Sequence, residues 1–195
     1  MVQLASREAP GRLEVVRAFV NTRDIESRID LLATPADLAG WLGARRLTPP
    51  GVRLEAPALR AATELREALR TLLRAHNGQE VDTAPALDVL NRISARAGLL
   101  PVMAYDGSVG YRVTSAGGIG ALGSIVAIVY AAQGRGVWTR LKACSADACQ
   151  WAYYDASRNR ASRWCHMQVC GNRAKGQAFR ARRAEGDHGN ATTKR

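Results

Sequence analysis

A continuous apolar segment is what this 195-residue sequence most clearly lacks. The N-terminus reads MVQLASREAPGRLEVV, in which Arg7 and Glu8 interrupt any apolar core of the kind that a signal peptide requires. The longest apolar stretch, residues 119–132, is broken by glycines and a serine and is too short to cross a bilayer. The sequence therefore predicts a cytoplasmic protein without a membrane partner, whose thiols stay reduced.

Catalytic motifs are also missing. No serine or cysteine stands in a recognisable nucleophile motif, and the chain has only 3 histidines. Residues 118–123 (GIGALG) do match the dinucleotide-binding fingerprint. That fingerprint needs an acidic residue about 20 positions later, after a second parallel strand, but the first acid here is Asp147. We therefore expect no enzyme, and we interpret these glycines as points of close helix packing.

Acidic residues are scarce in the last third of the chain. Residues 1–134 hold 15 Arg, no Lys and 13 acids (15 − 13 = +2), whereas residues 135–195 hold 13 Lys and Arg and 4 acids (13 − 4 = +9). A cationic segment attracts polyanions because binding releases their counterions. The charge distribution favours nucleic acid or an acidic surface as partner, although a solvated tail has the same composition.

The remaining pattern predicts an ordinary folded domain, since 47% of the residues are apolar. Residues 13–20 (LEVVRAFV) are rich in β-branched and apolar side chains and predict a buried strand. Residues 99–105 and 109–114 predict two strands joined by a turn at Asp106-Gly107. Helices are predicted from apolar spacing and capping after Thr34 and over residues 56–76, 84–97 and 120–132.

These elements predict an α+β fold. Residues 1–135 are expected to form a small domain of a short sheet with several helices. A zinc-ribbon-like module with a basic helix follows over residues 136–185, and residues 186–195 are expected to be a disordered tail.

The cysteines form two pairs, each enclosing four residues: Cys144, Cys149, Cys165 and Cys170. Each pair closes a tight turn that aims two sulfurs at one point, and the connector brings the pairs together. Four protein ligands leave no open position, so we predict a structural Zn²⁺ rather than one that activates water. A module this small has little core of its own, and metal binding should supply most of its folding free energy.

Other interpretations of the cysteines stay open at this point. The alternatives are incidental buried thiols, a redox-active pair, and a site in which His166 replaces one sulfur as ligand. Four nearby cations are expected to offset the negative charge of a zinc–thiolate centre: Arg140, Lys142, Arg163 and Arg173.

The cysteine segment resembles the CGNR-type zinc finger of bacterial proteins. The resemblance rests on residues 170–173 (CGNR), 165–167 (CHM) and 155–160 (DASRNR). In that family a domain called ABATE precedes the finger. Three segments of this chain are similar to the opening of that domain: residues 19–22 (FVNT), 30–38 (DLLATPADL) and 41–42 (WL). The resemblance implies a stress-related transcription regulator whose finger binds DNA and whose ABATE domain senses a ligand or associates.

A basic helix is predicted from Arg173 to about residue 185. Arg173, Gln177 and Arg180 share one face, from which Arg can bond guanine and Gln can bond adenine. Other cations are expected to hold phosphates: Lys175, Arg182 and Arg183 on the helix, and Arg158, Arg160 and Arg163 in the connector. Gly171, at the turn after the last cysteine, is predicted to need a positive φ.

The aromatic residues Trp151, Tyr153 and Tyr154 alternate with smaller ones and predict a short strand. They are expected to pack beside the zinc, with stacking on unpaired bases as the alternative.

A small-ligand pocket is a further prediction for the N-terminal domain. Its residues are Asn21, Thr22, Asp30 and Trp41, which the sequence places at a strand end and a helix start. The alternative, which we favour, is that these side chains satisfy loop backbone groups and pack in the core.

Taken together, these patterns predict a DNA-binding transcription regulator that uses two copies per site as a homodimer. The alternatives are a zinc module that binds RNA or docks on a protein, and a zinc–thiolate redox sensor.

Overall fold

The computed structural model describes residues 8–189, and within that range the chain is mainly helical. The helices are α1 (Leu13–Val20), α2 (Pro35–Ala44), α3 (Ala56–His76), α4 (Ala84–Arg96), α5 (Gly117–Gly134) and α6 (Asn172–Gly189). The strands are β1 (Arg23–Asp24), β2 (Ile29–Asp30), β3 (Leu99–Met103), β4 (Val109–Val113), β5 (Leu141–Ala143) and β6 (Ala152–Tyr154). The chain therefore has the predicted α+β class.

The strands of the described residues form separate two-stranded antiparallel sheets rather than one short sheet: β1–β2, β3–β4 and β5–β6. The predicted hairpin at Asp106-Gly107 is confirmed, with Leu99 opposite Val113 and Met103 opposite Val109. The loop has three residues, 105–107, because the Ala104 N–H donates to the Ser108 carbonyl at 2.8 Å. Gly107 has φ +79°, the left-handed conformation that the last residue of such a loop adopts.

Helix α5 lies at the centre of the N-terminal core. It carries no charged residue, and it packs against α1, α3, α4 and β4. Leu122, Ile125 and Val126 are fully buried in it. By length and composition α5 is the one helix of the described residues that could cross a membrane. Since more than half of it is buried within the protein, we interpret it as a core helix.

Residues 13–20 form helix α1, so the predicted strand is wrong. Leu13, Val16 and Val20 recur at helical spacing and are completely buried. Glu14 pairs with Arg17 one turn further on, at 2.6 Å. Burial of this stripe against α5 and α3 outweighs the modest strand preference of the valines.

Helix α2 begins as predicted from its capping residues. The Thr34 hydroxyl accepts a hydrogen bond from the Asp37 backbone N–H at 3.2 Å, and the Asp37 carboxylate accepts one from the Thr34 N–H at 2.8 Å. Pro35 occupies the first turn, where its missing N–H leaves no bond unmade.

The glycines of the GIGALG segment serve close packing, as interpreted from the sequence. A Cβ on Gly118 would lie 2.8 Å from the Ala58 Cβ, and one on Gly123 would collide with the Ala97 side chain. The preceding strand β4 belongs to an antiparallel hairpin. The parallel strands that a dinucleotide site needs are therefore not formed here.

The main core continues past residue 135. Trp138, Leu141, Ala143 and Ala152 are buried in the same cluster as α1, α3 and α5. The β5–β6 hairpin that starts the cysteine module is thus built onto the N-terminal domain.

Candidate metal centre and its basic surroundings

The first cysteine pair is held by the β5–β6 hairpin. Cys144 directly follows β5, and its N–H donates to the Trp151 carbonyl at 3.0 Å. Cys149 closes the tight turn between the strands, with its N–H bonded to the Ala146 carbonyl at 2.8 Å. Both sulfurs therefore lie on one short, hydrogen-bonded loop.

The second pair lies on the turn that leads into α6. Residues Met167–Gly171 form a π-helical turn, in which the Cys170 N–H donates to the His166 carbonyl at 2.9 Å. Gly171 does not have a positive φ, so that prediction is wrong. A Cβ at this position would meet the Met167 sulfur, so a larger residue would require the Met167 side chain to shift.

The four cysteine sulfurs converge within 4.8 Å of one another. The Cys149 and Cys165 sulfurs are 3.6 Å apart, and those of Cys165 and Cys170 are 3.7 Å apart. Sulfurs at the corners of a tetrahedron, each about 2.3 Å from zinc, would be separated by about 3.8 Å. The four cysteines therefore suit a metal site, and His166 is outside this cluster of the described residues.

Electrostatics opposes ionisation of these sulfurs unless a cation lies between them. All four side chains are buried, with at most 8% of their surface exposed. The pKa of the Cys165 thiol is raised, first by its hydrogen bond with Cys144 and then by Cys149 and by burial. Four buried thiolates at this spacing would repel one another, and a divalent cation removes that repulsion by binding all four.

The connector between the cysteine pairs is organised by Asp155, which is completely buried. One carboxylate oxygen accepts from the Ser157 N–H and hydroxyl, and the other from the Ser162 N–H at 3.0 Å and the Lys142 ammonium at 2.8 Å. Burial alone would raise the pKa of Asp155, but the bonds from Lys142 and Ser157 lower it to about 2. The ionised carboxylate therefore closes the loop from Asp155 to Ser162 and joins it to Lys142 of β5.

Two of the cations expected near the metal have this connector as their partner instead. Lys142 also donates to the Arg160 and Ser162 carbonyls. Arg140 donates to the carbonyls of Asp155 and Ser157 at 3.0 and 3.1 Å. Their positive charges fix the loop that carries Arg158 and Arg160, whose own side chains are exposed.

Buried polar side chains of the N-terminal domain bind the backbone of the module. The Asn21 amide accepts from the Ala152 N–H at 2.7 Å and donates to the Ala152 carbonyl at 2.9 Å. The Asn77 amide donates to the carbonyls of Ala143 and Arg163 at 2.7 and 2.9 Å. Asn77 therefore connects the two halves of the module, one on each side of the cysteine cluster.

Two further groups on α3 reach the same module. Arg70, which is 3% exposed, donates to the carbonyls of Gln150 and Val20. The His76 ring nitrogen contacts the Leu141 carbonyl at 2.9 Å, and the ring meets Trp138 edge-on. The contacts of Asn77 and Arg70 with the module were not predicted from the sequence, because their partners are backbone groups far along the chain.

The basic residues named from the sequence lie mostly on the surface. Arg158, Arg160, Arg163, Lys175, Gln177, Arg180 and Arg182 are exposed, and the side chain of Arg183 lies outside the described part of α6. Arg173 is exposed too, but its guanidinium pairs with Glu26, in the turn between β1 and β2, at 2.8 Å. Arg173 and Gln177 also line a cleft beside Cys170 with Asp147 and Trp164.

The helical prediction for this segment is confirmed, and α6 runs past residue 185 to Gly189. The last part of the predicted tail, residues 190–195, lies outside the described residues.

The four residues of the predicted ligand pocket each have a partner within the protein. Asn21 bonds the module, and Thr22 donates to the Phe19 carbonyl. Asp30 accepts two hydrogen bonds from the buried Arg66 at 2.7 and 2.8 Å, and its pKa is lowered chiefly by Arg66. Trp41 packs on Phe19 and beneath the Arg45 guanidinium. Asn21 and Thr22 follow the end of helix α1 rather than a strand end, whereas Asp30 ends β2 and Trp41 lies within α2. Ligand binding by these four residues stays a prediction.

The aromatic residues after Cys149 pack as expected. Tyr153 is 1% exposed in β6, and its hydroxyl donates to the Ser162 carbonyl at 2.6 Å. Tyr153 joins the four cysteines in one buried cluster, against which Trp151 and Trp164 pack.

The structure thus joins a mainly helical domain to a buried cluster of four cysteines, which is a ligand set of structural zinc sites. The CGNR zinc finger model matches residues 140–183, and the ABATE model, described as "Putative stress-induced transcription regulator", matches residues 13–147. The chain belongs to the ABATE family and carries a CGNR zinc finger, as the sequence predicted. A comparison with curated proteins gave no match. The two matches share residues 140–147, the segment in which β5 packs in the main core and leads to Cys144.

Proposed function

We propose that this protein is a cytoplasmic, DNA-binding transcription regulator in a stress response. Cys144, Cys149, Cys165 and Cys170 bind a structural Zn²⁺ that orders the module. The N-terminal domain senses a ligand or mediates association into a homodimer. The observation that carries the proposal is that a basic helix begins beside a cysteine cluster that suits a metal. Helix α6 starts at Asn172, two residues after Cys170.

The charge of α6 supports a polyanionic partner. From residue 172 to residue 184 the helix holds four Arg and one Lys and no acidic residue. Arg158 and Arg160 in the connector add exposed cations on the same module. Duplex DNA binds such a surface chiefly through its phosphates, so affinity should fall steeply with salt.

The geometry of α6 offers two contact faces rather than one. Arg173, Gln177 and Arg180 lie within one narrow sector, because they are four and three residues apart. Lys175 and Arg182 are seven residues apart and lie about 180° away from that sector. One groove cannot receive both faces of a single helix, and the face of Arg173 is the one suited to reading bases.

Rigid attachment of the module supports a defined binding geometry. Asn21 and Asn77 fix the hairpin and the connector to the N-terminal domain through buried hydrogen bonds. An association between two N-terminal domains would therefore set the distance between two α6 helices, and with it the spacing of two half-sites.

The test compares two double variants of the zinc-loaded full chain. Arg173→Gln with Arg180→Gln, and Lys175→Gln with Arg182→Gln, each remove two charges from one face of α6. We expect both to reduce salt-dependent binding to random-sequence duplex DNA, measured by fluorescence anisotropy. Only the first should relax preference for a selected duplex sequence, because base contacts specify. The second should weaken binding only through the loss of net charge, since its face points away from the groove.

A second arm tests the class of nucleic acid. Structured RNA competes with the duplex at fixed salt, and tighter binding of the RNA would replace DNA by RNA in this proposal. Unchanged duplex binding by both double variants would reject α6 as the contact element.

A further inference from the structure

A groove of about 560 Å³ lies between β4, α5 and the residues just before α1. This volume is within the range of small-molecule sites in proteins. None of the residues that line it belongs to the cysteine module or to the ligand pocket predicted from the sequence.

The floor of the groove is a stripe of α5 that is half-buried at Ser124, Ala127 and Ala131 and buried at Ile128. Ser124, Ala127, Ile128 and Ala131 follow one another at spacings of three or four residues and therefore share one face of the helix. Their side chains are small, apart from Ile128, and the opposite wall at Gly110 has no side chain. The result is a depression with an apolar base along a helix that is otherwise the core of the domain.

The rim of the groove is cationic. Arg12, Arg112 and Arg135 line it, and no acidic residue does. Within residues 8–189 none of these three guanidiniums forms a salt bridge. Other arginines of the same domain are paired with acids: Arg17 with Glu14, Arg66 with Asp30 and Arg92 with Glu64.

An apolar floor and an unpaired cationic rim together select one class of ligand. A neutral apolar molecule would cover the guanidiniums without bonding them, which costs free energy. An inorganic anion would leave the apolar floor unused. A small molecule with an anionic head and an apolar body satisfies both, since a carboxylate or phosphate group bonds guanidinium strongly.

We propose that this groove binds an amphipathic organic anion, with its carboxylate or phosphate head at Arg112 and Arg135 and its alkyl or aryl body on Ala127, Ile128 and Ala131. This rests on the part of the proposed function that makes the N-terminal domain a sensor. The groove is joined to the metal module by a short path, because the chain runs from Arg135 through Trp138 into β5 and Cys144.

The experiment is calorimetric titration of the zinc-loaded full chain, without nucleic acid, using octanoate and octyl phosphate as probes. Octanol carries the same body without charge, and acetate carries the charge without the body. We expect saturable one-to-one binding of at least one octyl anion, with the tighter probe identifying the head group. Octanol and acetate should bind at least about tenfold more weakly than the octyl anion, because octanol lacks the charged hydrogen bond and acetate lacks the apolar contact.

Two pairs of surface variants distinguish binding in the groove from a general effect of positive charge. Arg112→Gln with Arg135→Gln should weaken octyl-anion binding about tenfold or more. The matched control, Arg60→Gln with Arg96→Gln, removes two exposed charges outside the groove and should leave the affinity within about twofold. Ala131→Phe fills the floor and should abolish binding; the two double variants keep the test decisive if that variant does not fold.

Absence of octyl-anion binding, equal binding of octanol, or full affinity in the Arg112 and Arg135 double variant would each overturn the inference. A further outcome would also overturn it: no octyl-anion binding, together with a larger loss of duplex DNA affinity in the Arg112 and Arg135 double variant than in its control. The rim would then belong to a nucleic-acid surface. Because the titration contains no DNA, failure of the DNA-binding test would not change its result. Failure of the octyl-anion titration would likewise leave the DNA-binding test valid.

Discussion

Around α5 the interior of the protein consists mainly of aliphatic side chains, whereas the buried cluster of the cysteine module consists of four cysteines and Tyr153. The first region is stabilised by burial of apolar surface and needs no ligand. The second has too little apolar surface to offset the entropy of ordering its loops, and it brings together sulfurs that repel when ionised. One short chain thus contains two kinds of interior, one apolar and one that suits a metal ion.

The boundary between these two kinds of interior falls inside the hairpin. Leu141 and Ala143 of β5 are buried in the main core, while Cys144, the next residue, is buried among the cysteines. Metal dependence is therefore expected to begin at Cys144 rather than at the start of the module.

Removal of the metal should produce the largest difference in stability between the two regions. We expect a chelator, or Cys170→Ser, to abolish hydrogen-exchange protection over residues 144–150 and 156–171 while the amides of α3, α5, β5 and β6 keep theirs. The strand β6 is excepted because Ala152 is buried in the main core and its N–H bonds to Asn21. The reason for the loss is that metal binding supplies the folding free energy of the cysteine loops alone. Binding of one zinc per chain, lost in Cys170→Ser, is the accompanying measurement. Protection of residues 144–150 and 156–171 without metal would break the comparison.

The buried pair of Asp155 and Lys142 should give the next largest effect. Asp155→Asn leaves a buried ammonium without its counter-charge and should destabilise the protein by about 3 kcal/mol at neutral pH. The folded pKa of Asp155, about 2, is below its ordinary value of 3.8, so ionisation favours the folded state above pH 4. That contribution is lost as the pH falls from about 4 to about 2.

Urea unfolding at several pH values measures this difference between wild type and variant. We expect the difference to narrow below pH 4, since protonated Asp155 then resembles Asn. The double variant with Lys142→Met should be less destabilised than the sum of the single changes. Additive effects would show that the two groups do not interact.

The bond from Asn77 to the module should have a smaller effect. Asn77→Ala leaves the buried Ala143 carbonyl and the partly exposed Arg163 carbonyl without this donor, and we expect a loss of about 2 kcal/mol. Asn159→Ala removes an exposed amide in the connector and should change stability by less than about 0.5 kcal/mol. Equal effects of the two changes on urea unfolding would mean that the module is not held through Asn77.

Sequence reasoning located most of this architecture because the signals are local. The two cysteine pairs each lie on a short turn, and Thr34-Pro35 with Asp37 specifies a helix start by contacts within four residues. The GIGALG glycines were correctly interpreted as packing positions, since their spacing did not come with the acid that a dinucleotide site needs.

The missed features depend on partners distant in sequence. The spacing of Leu13, Val16 and Val20 fits a helix, but the β-branched residues of the same segment favour a strand, and only burial against α5 decides. Asp155 and Lys142 had a detectable signal: Lys142 is the first lysine of an arginine-rich chain, and Asp155 is followed by a serine two residues later. Asn77 had none, because asparagine after a helix is already explained by the helix end.

The smallest expected effect concerns the contact between the two regions at Glu26 and Arg173. Both side chains are about half exposed, so solvent screens the ion pair and its contribution to stability is small. If α6 binds DNA, a phosphate must displace the Glu26 carboxylate from Arg173, and Glu26→Gln should raise DNA affinity by up to about fivefold. Glu80→Gln makes the same change of charge at an exposed site and should raise affinity less. Titration of a labelled duplex at low salt measures both variants. Equal gains would mean that net charge alone is responsible, and that the N-terminal domain does not compete with DNA for Arg173.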